Sequence, residues 1–503
     1  MSLLLGLDVG TSSLKAVAYD PGSGRIVAQA ARPTPVSHPQ ADRTDFDPIA
    51  LWDGVSACIR TIIDTLPSSQ SIAAVAVASM GEAGVPLDQN GEPLYPIIAW
   101  FDTRSEAQAA RLRRELGAET IHRITGQKVR STFAASKILW LKDTYPALMA
   151  RLALWLSVED YILWRLSAVP ATDYSVASRT MLLDQERGDW SPEMLAACGL
   201  TTDALPRPVQ SGTVIGRVTK RAAQETGLAI GTPVATGGHD HLCGALAVGA
   251  VETGRFLDSS GTAQSMLMAV DRFYGGGQTF AHGFSCYRHV LYGRYIVQGG
   301  LNTAGGALEW IVTLTSGGHN AYTDLYREAE ESGTGARGVI CLPYFRGLTS
   351  PFVEPQMRAA FVGLTLEHRR GDLMRAVIEG LAYHLRLNLE HMAQVAPVAE
   401  GHLLAIGGAN REPLILQIKA DVCNRPLVAA GVPEATAVGA ALLAGLAVGI
   451  FGDEKEAASS VACEFRRYEP TGEAAALYDR EYHRYGQLIS RLHLVYPDAL
   501  APD

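Results

Sequence analysis

Residues 236–262 read TGGHDHLCGALAVGAVETGRFLDSSGT. Two glycines bring one acid, Asp240, to the mouth of a segment of small residues, which the pattern predicts as a tightly packed helix over 242–251. Glu252-Thr253-Gly254 then turns the chain into a short strand over 255–258 and a glycine loop, Ser259-Ser260-Gly261-Thr262. An acid beside one loop, and a nest of backbone N–H groups sized for a phosphate at the other, are the parts that phosphoryl transfer uses.

That second loop has an earlier counterpart. Residues 5–17, LGLDVGTSSLKAV, and 256–268, FLDSSGTAQSMLM, both read strand, small polar residues, Gly-Thr, strand. The two Gly-Thr pairs, Gly10-Thr11 and Gly261-Thr262, stand almost half of the 503-residue chain apart. So long a period indicates a duplicated domain and not a solenoid. The predicted division is 1–245, on the acceptor side, and 246–503, on the nucleotide side.

Composition sets limits. A hydrophobic fraction of 47% with 19% charged residues describes a globular chain of two or more domains. The net charge of −9 argues against nucleic acid or an anionic membrane as a partner. Seven cysteines form no CxxC pair and no zinc-ligand spacing, and the Leu3-Leu4-Leu5 run meets Asp8 without a basic flank, so a reducing cytoplasm is expected. Residues 435–452 carry no charge, but they are rich in alanine and glycine and bounded by Glu434 and Asp453. They read as a buried helix closing a nucleotide domain, not a membrane span.

Along the chain, Asp47-Pro48 starts a helix whose Leu51, Val55, Ile59, Ile62 and Leu66 share one face. The apolar run 71–78 follows as a strand of a covered parallel sheet, and the loop after it, with Gly81-Glu82, lies where open α/β sheets bind ligands. If 100–104 is extended, Trp100, Asp102 and Arg104 share a face fit for a sugar. Residues 104–170 read as mostly helical, and 172–192 as a polar loop region before a Ser-Pro helix start. A long helix over 372–395, a strand over 403–406 and the turn 407–410 repeat the order of 48–84. His239, His241 and Cys243 would share a strand face and invite a metal, but no further cluster supports one, and His241 is expected to contact substrate or orient Asp240.

Eight stretches carry a resemblance: LGLDVGTSSLKAVAYD, WFDTR, TDYSVASRTMLLD, GGHDHLCGALAVG, DSSGTA, FVGLTLEHRRGDLMRAVIEG, IGGAN and EATAVGAALLAG. Together, in order, they resemble the FGGY family of carbohydrate kinases over nearly the whole chain. The resemblance implies an α/β fold of two actin-like (ribonuclease H-like) domains with ATP, Mg²⁺ and a sugar meeting in the cleft between them. It implies Asp240 as catalytic base and, with Asp8, as the acid near the metal. Gly10, Thr11, Ser12, Lys15, Gly261, Thr262, Gly305, Gly306, Gly407, Gly408 and Asn410 match nucleotide positions. Glu82, Trp100, Asp102, Arg104 and His241 fall in the acceptor region. Xylulose kinases of the family carry Met-His where this chain has Gly81-Glu82, and glycerol kinases carry Arg-Glu. The expected activity is ATP-dependent phosphorylation of a terminal hydroxyl of a small sugar, a ketopentose such as xylulose first and a polyol second. A homodimer would be unsurprising. An actin-fold ATPase acting as chaperone or sensor is the reading from another class.

Overall fold

The structure, a computed structural model, describes residues 2–40, 42–316 and 322–492. Two mixed sheets organise it. The first has the strand order Val214–Arg217, Pro233–His239, Ser71–Ser79, Ser2–Val9, Ser13–Asp20, Arg25–Pro33. The second runs Ser285–Arg288, Tyr295–Leu301, Gln264–Val270, Phe256–Ser260, Leu403–Ile406, Leu427–Ala430, Phe465–Tyr468.

The halves repeat the same plan. Ser2–Val9 turns through Gly10-Thr11 into an antiparallel partner, and Phe256–Ser260 does so through Gly261-Thr262. Each hairpin is followed by a helix and a strand parallel to its first strand: Pro48–Thr65 then Ser71–Ser79, and Arg370–Val395 then Leu403–Ile406. The copies differ at the turn. Gly10 N–H donates to Ser13 O across two residues, whereas Gly261 N–H donates to Ala263 O across one, so the second hairpin is tighter by a residue.

Local chemistry explains most of the elements. Asp47 accepts from the N–H groups of Ile49 and Ala50 and caps the first helix, with Pro48 at its first position. Leu51, Val55, Ile59 and Ile62 are buried against the first sheet, while Leu66 forms the C-cap and is partly buried. The helix Arg370–Val395 is buried nearly all round, a central position that its leucine stripe alone did not announce.

Three expectations are corrected. The helix after Asp240 spans Asp240–Ala247, so the acid sits inside its first turn; His239 is the N-cap, and Gly249 at φ +76° lies just past the end. Residues 100–104 form a turn, not an extended piece. The Asp102 carboxylate accepts from the N–H groups of Thr44 and Arg104 and closes it, so Trp100 and the Asp102–Arg104 pair face different ways. The region around 172–178 is a buried strand and helix, Ala171–Asp173 and Tyr174–Ser178, because Asp173 caps the helix and accepts hydrogen bonds from the hydroxyls of Ser175 and Ser211.

The charge-free segment forms a helix only over Ala435–Ala447. Among the described residues no helix is long and apolar enough to cross a membrane. This helix leaves its own half. It packs on the first sheet and against Asp240–Ala247, and one apolar cluster joins Leu4, Ala76, Leu242, Leu257, Leu404 and Leu442 from both sheets and both helices. At the crossing, a Cβ on Gly439 would stand 1.9 Å from Cys243 O, so only glycine lets the two backbones approach this closely.

Candidate active site

The strand Pro233–His239 is buried along most of its length and stops where the helix Asp240–Ala247 begins. That junction fixes Asp240 at a helix N-terminus, where the backbone dipoles favour a carboxylate. One Asp240 oxygen accepts from the N–H of His241 at 2.6 Å and lies 3.3 Å from His239 Nε2, and the side chain is 29% exposed. Burial alone would raise its pKa. His241, its backbone N–H included, and Arg179 outweigh that and hold it below the usual carboxylate range, so the group is ionised at neutral pH. The ring that reaches the carboxylate is therefore that of His239, whereas His241 contributes its N–H. Burial depresses His239 to about 3, which keeps the ring neutral.

Across from this junction, Asp8 is the last residue but one of the first strand, with Val9 between it and the Gly-Thr turn. Burial first, then the Asp240 charge, raise Asp8 to about 7. Two carboxylates that repel one another at a glycine loop are what a divalent cation relieves, and Mg²⁺ takes few protein ligands because it keeps water and phosphate oxygens. Among the described residues no group of three His, Cys, Asp or Glu side chains could hold a metal by itself. The donor set fits Mg²⁺ held by Asp8 and Asp240 together with a nucleotide, where it would neutralise phosphate charge.

The first turn is braced by Thr34, whose hydroxyl donates to Gly10 O at 2.7 Å, and by Trp100, whose Nε1–H donates to Thr11 Oγ1 at 2.9 Å. Ser12 is exposed beside them. Trp100 is 37% exposed and is tied to the first Gly-Thr turn by that Nε1–H bond. The second turn, exposed at Gly261 and Thr262, receives the N–H groups of Ala304, Gly305 and Gly306 on its carbonyls at 2.8, 2.9 and 3.2 Å. Gly407, at φ +100°, lies against Ser260, while a Cβ on Gly408 would meet nothing within 4 Å.

Several expected ligands are otherwise engaged. Lys15 pairs with Glu434 at 2.6 Å. The Asn410 amide donates to Asp258 and Ile406 O and accepts from Lys419, so it builds the loop from inside. Lys419 also neutralises the buried Asp258 at 2.5 Å, which leaves that acid a structural role. Arg104 binds Asp102 and Asp45, each at 2.7 Å, with all three side chains 5% exposed or less. This triad supports the turn that carries Trp100 and is closed to solvent, with Arg104 Nη1 left without a hydrogen-bond partner among the described residues.

Glu82 adopts φ +64°, a strained conformation for a residue with a side chain, and the Lys137 ammonium donates to its carbonyl at 3.1 Å. Its carboxylate is bound by Arg179. Arg179 lies in the quoted stretch TDYSVASRTMLLD, yet the sequence attached no role to it; a lone arginine in a run of small and apolar residues was the available signal. Nothing in the sequence pointed to Lys137 or Gln298.

The family's N-terminal domain profile matches residues 3–247 and its C-terminal domain profile residues 276–448. The chain belongs to the FGGY family of carbohydrate kinases. It is 28% identical over 499 residues to the xylulose kinase of Bacillus subtilis (strain 168), covering 97% of both chains. It is 30% identical over 474 residues to the L-fuculokinase of Escherichia coli (strain K12), covering 94% of this chain and 98% of the relative. The crystal structure of xylulose kinase from Rhodospirillum rubrum superposes with a TM-score of 0.91 at 29% identity, over 98% of this chain and 99% of that one. This FGGY chain is thus a phosphotransferase acting on a sugar or polyol.

Proposed function

We propose that the protein transfers the γ-phosphate of ATP to a terminal hydroxyl of a small sugar, with Asp240 as the base that accepts the hydroxyl proton. The observation that carries this reading is Asp240 itself: ionised, part-exposed at a helix N-terminus, and facing Asp8 beside a Gly-Thr turn. Phosphoryl transfer depends mainly on positioning and charge neutralisation, so a base of low pKa suffices. The residues proposed at the nucleotide are the exposed turns Gly10-Thr11-Ser12 and Gly261-Thr262, with Gly305, Gly306, Gly407 and Gly408 behind them. Lys15 would reach a phosphate only by leaving Glu434. Glu82, Trp100 and His241 are proposed at the acceptor, with Asp102 and Arg104 beneath them as supports.

A ketopentose such as xylulose is the acceptor we favour, supported by the relatives that bear that name; a polyol is the second. All seven cysteines are free and six of them are buried, which supports a reducing cytoplasm as the setting. We also propose the domain division at 246, supported by the two separate sheets, although the helix Ala435–Ala447 belongs by packing to the first. A coupled assay of ADP release against pentuloses, methylpentuloses, tetritols, glycerol and gluconate tests the reading. One acceptor is expected to raise turnover at least ~100-fold over the sugar-free rate, a gain that Asp240→Asn should abolish. ATP hydrolysis indifferent to every acceptor would favour a chaperone-like ATPase instead.

A further inference from the structure

Arg179 joins the two halves of the molecule. Its Nε donates to Glu82 Oε1 at 2.8 Å, and Nη2 donates to the same oxygen. On the other edge, Nη1 donates to Gln127 Oε1 at 3.2 Å, within the first half, and to Gln298 Oε1 at 3.4 Å, on a strand of the second sheet. The Tyr287 hydroxyl also donates to Gln298 Oε1, at 2.8 Å, and the rings of Phe133 and Tyr287 flank the guanidinium at 5.2 and 4.9 Å. Gln298 Nε2 in turn donates to Ser265 Oγ at 3.4 Å, on the strand that leaves the Gly261-Thr262 turn.

One line of hydrogen bonds therefore runs from the acceptor loop, through Arg179 and Gln298, to the second phosphate hairpin. Gly81 makes room for it: a Cβ there would stand 2.9 Å from Arg179 Cγ and 3.0 Å from His239 Cδ2. With Glu82 Oε1 taken by Arg179, Oε2 has no hydrogen-bond partner among the described residues and is free to accept from a sugar hydroxyl.

We propose that Arg179 and Gln298 are positioning residues that couple acceptor recognition to nucleotide binding: the guanidinium holds Glu82, and the grip of Gln298 of the nucleotide half on the opposite edge strengthens that hold when nucleotide is bound. This rests on the kinase reading above. Two sites linked through an element that both bias show a reciprocal coupling, of about 5- to 150-fold in typical cases.

The test is calorimetric titration of xylulose into the full-length protein, with and without Mg²⁺ and a non-hydrolysable ATP analogue. If the panel selects another acceptor, that compound replaces xylulose. The wild type is expected to bind acceptor about tenfold more tightly with the analogue bound. Gln298→Leu leaves the Glu82–Arg179 pair in place, so its affinity without nucleotide should stay within about twofold of wild type while the tenfold gain disappears. Gln298→Glu retains an acceptor oxygen for the guanidinium and should keep the gain. Arg179→Leu should weaken acceptor binding in both states. The coupling is refuted if Gln298→Leu keeps the gain, or if it weakens both states alike. It is also refuted if the wild type shows no gain while still phosphorylating an acceptor, an outcome that leaves the kinase reading standing. A panel with no phosphorylated acceptor removes the kinase reading itself. Should Gln298→Leu fail to melt cooperatively, Gln298→Met is read in its place.

Discussion

Asp240 and the Asp102–Arg104 pair show how much a residue's surroundings decide. Both lie in stretches shared with the family, yet Asp240 keeps a part-exposed carboxylate while Asp102 and Arg104 are closed upon one another and Asp45. Asp240→Asn keeps size and hydrogen bonding but removes the proposed base. Sugar phosphorylation should fall by ~10²–10⁴-fold, with ATP analogue binding changed little. Full activity in that variant would refute the role. Arg104→Met would strand two buried carboxylates, and denaturant melting should show a loss of about 3–5 kcal/mol. The KM for the acceptor should be unchanged at a temperature where the variant is folded. A raised KM without loss of stability would instead make Arg104 a ligand.

At the scale of elements, the glycines separate packing from binding. Gly439 sits where two helix backbones touch, so Gly439→Ala should force the crossing helix away and cost at least ~1–3 kcal/mol in melting experiments. Gly408 faces open space, and Gly408→Ala should leave stability within ~0.5 kcal/mol. If its backbone approaches the nucleotide, that variant raises the KM for ATP without changing that for the acceptor. Equal changes in both constants would count against Gly408 as a nucleotide position. The tighter second hairpin belongs to this scale too. It carries Ser259 where the first carries Asp8, as suits a single cation serving both turns.

For the whole molecule, the relation between the halves is the variable that matters. Besides Arg179, the interface includes His122, whose Nε2 lies 2.8 Å from Phe284 O and whose Nδ1 accepts the Gly276 N–H at 2.9 Å. Burial depresses His122 to about 4, below its ordinary 6.5. The unfolded chain takes up this proton first, so stability is complete above pH 6.5 and declines as pH falls towards 4. The His122 contribution to that decline is roughly 3 kcal/mol. His239, His289 and His384 are also depressed, so the wild-type melting temperature should drop over this range and His122→Gln should flatten the drop in part. An unchanged slope in His122→Gln would show that the ring's protonation is not linked to folding.

The duplicated hairpins, the helix–strand repeat and the acid after two glycines were legible in the sequence because each rests on neighbours in the chain: alternation, capping and turn chemistry act over a few residues. Pairings between distant residues were not legible. That Lys15 meets Glu434, that Arg179 meets Glu82 and Gln298, and that Asp102 turns away from Trp100 depend on which surfaces the two sheets bring together. The helix Ala435–Ala447 makes the same point on a larger scale. Its sequence required burial but named no partner, and the choice of the opposite half's sheet came from the fit of Gly439 against Cys243, a backbone contact that exists only once both halves have folded. Local chemistry thus determined the elements and the place of Asp240 by itself, whereas the arrangement around that acid was decided by long-range packing.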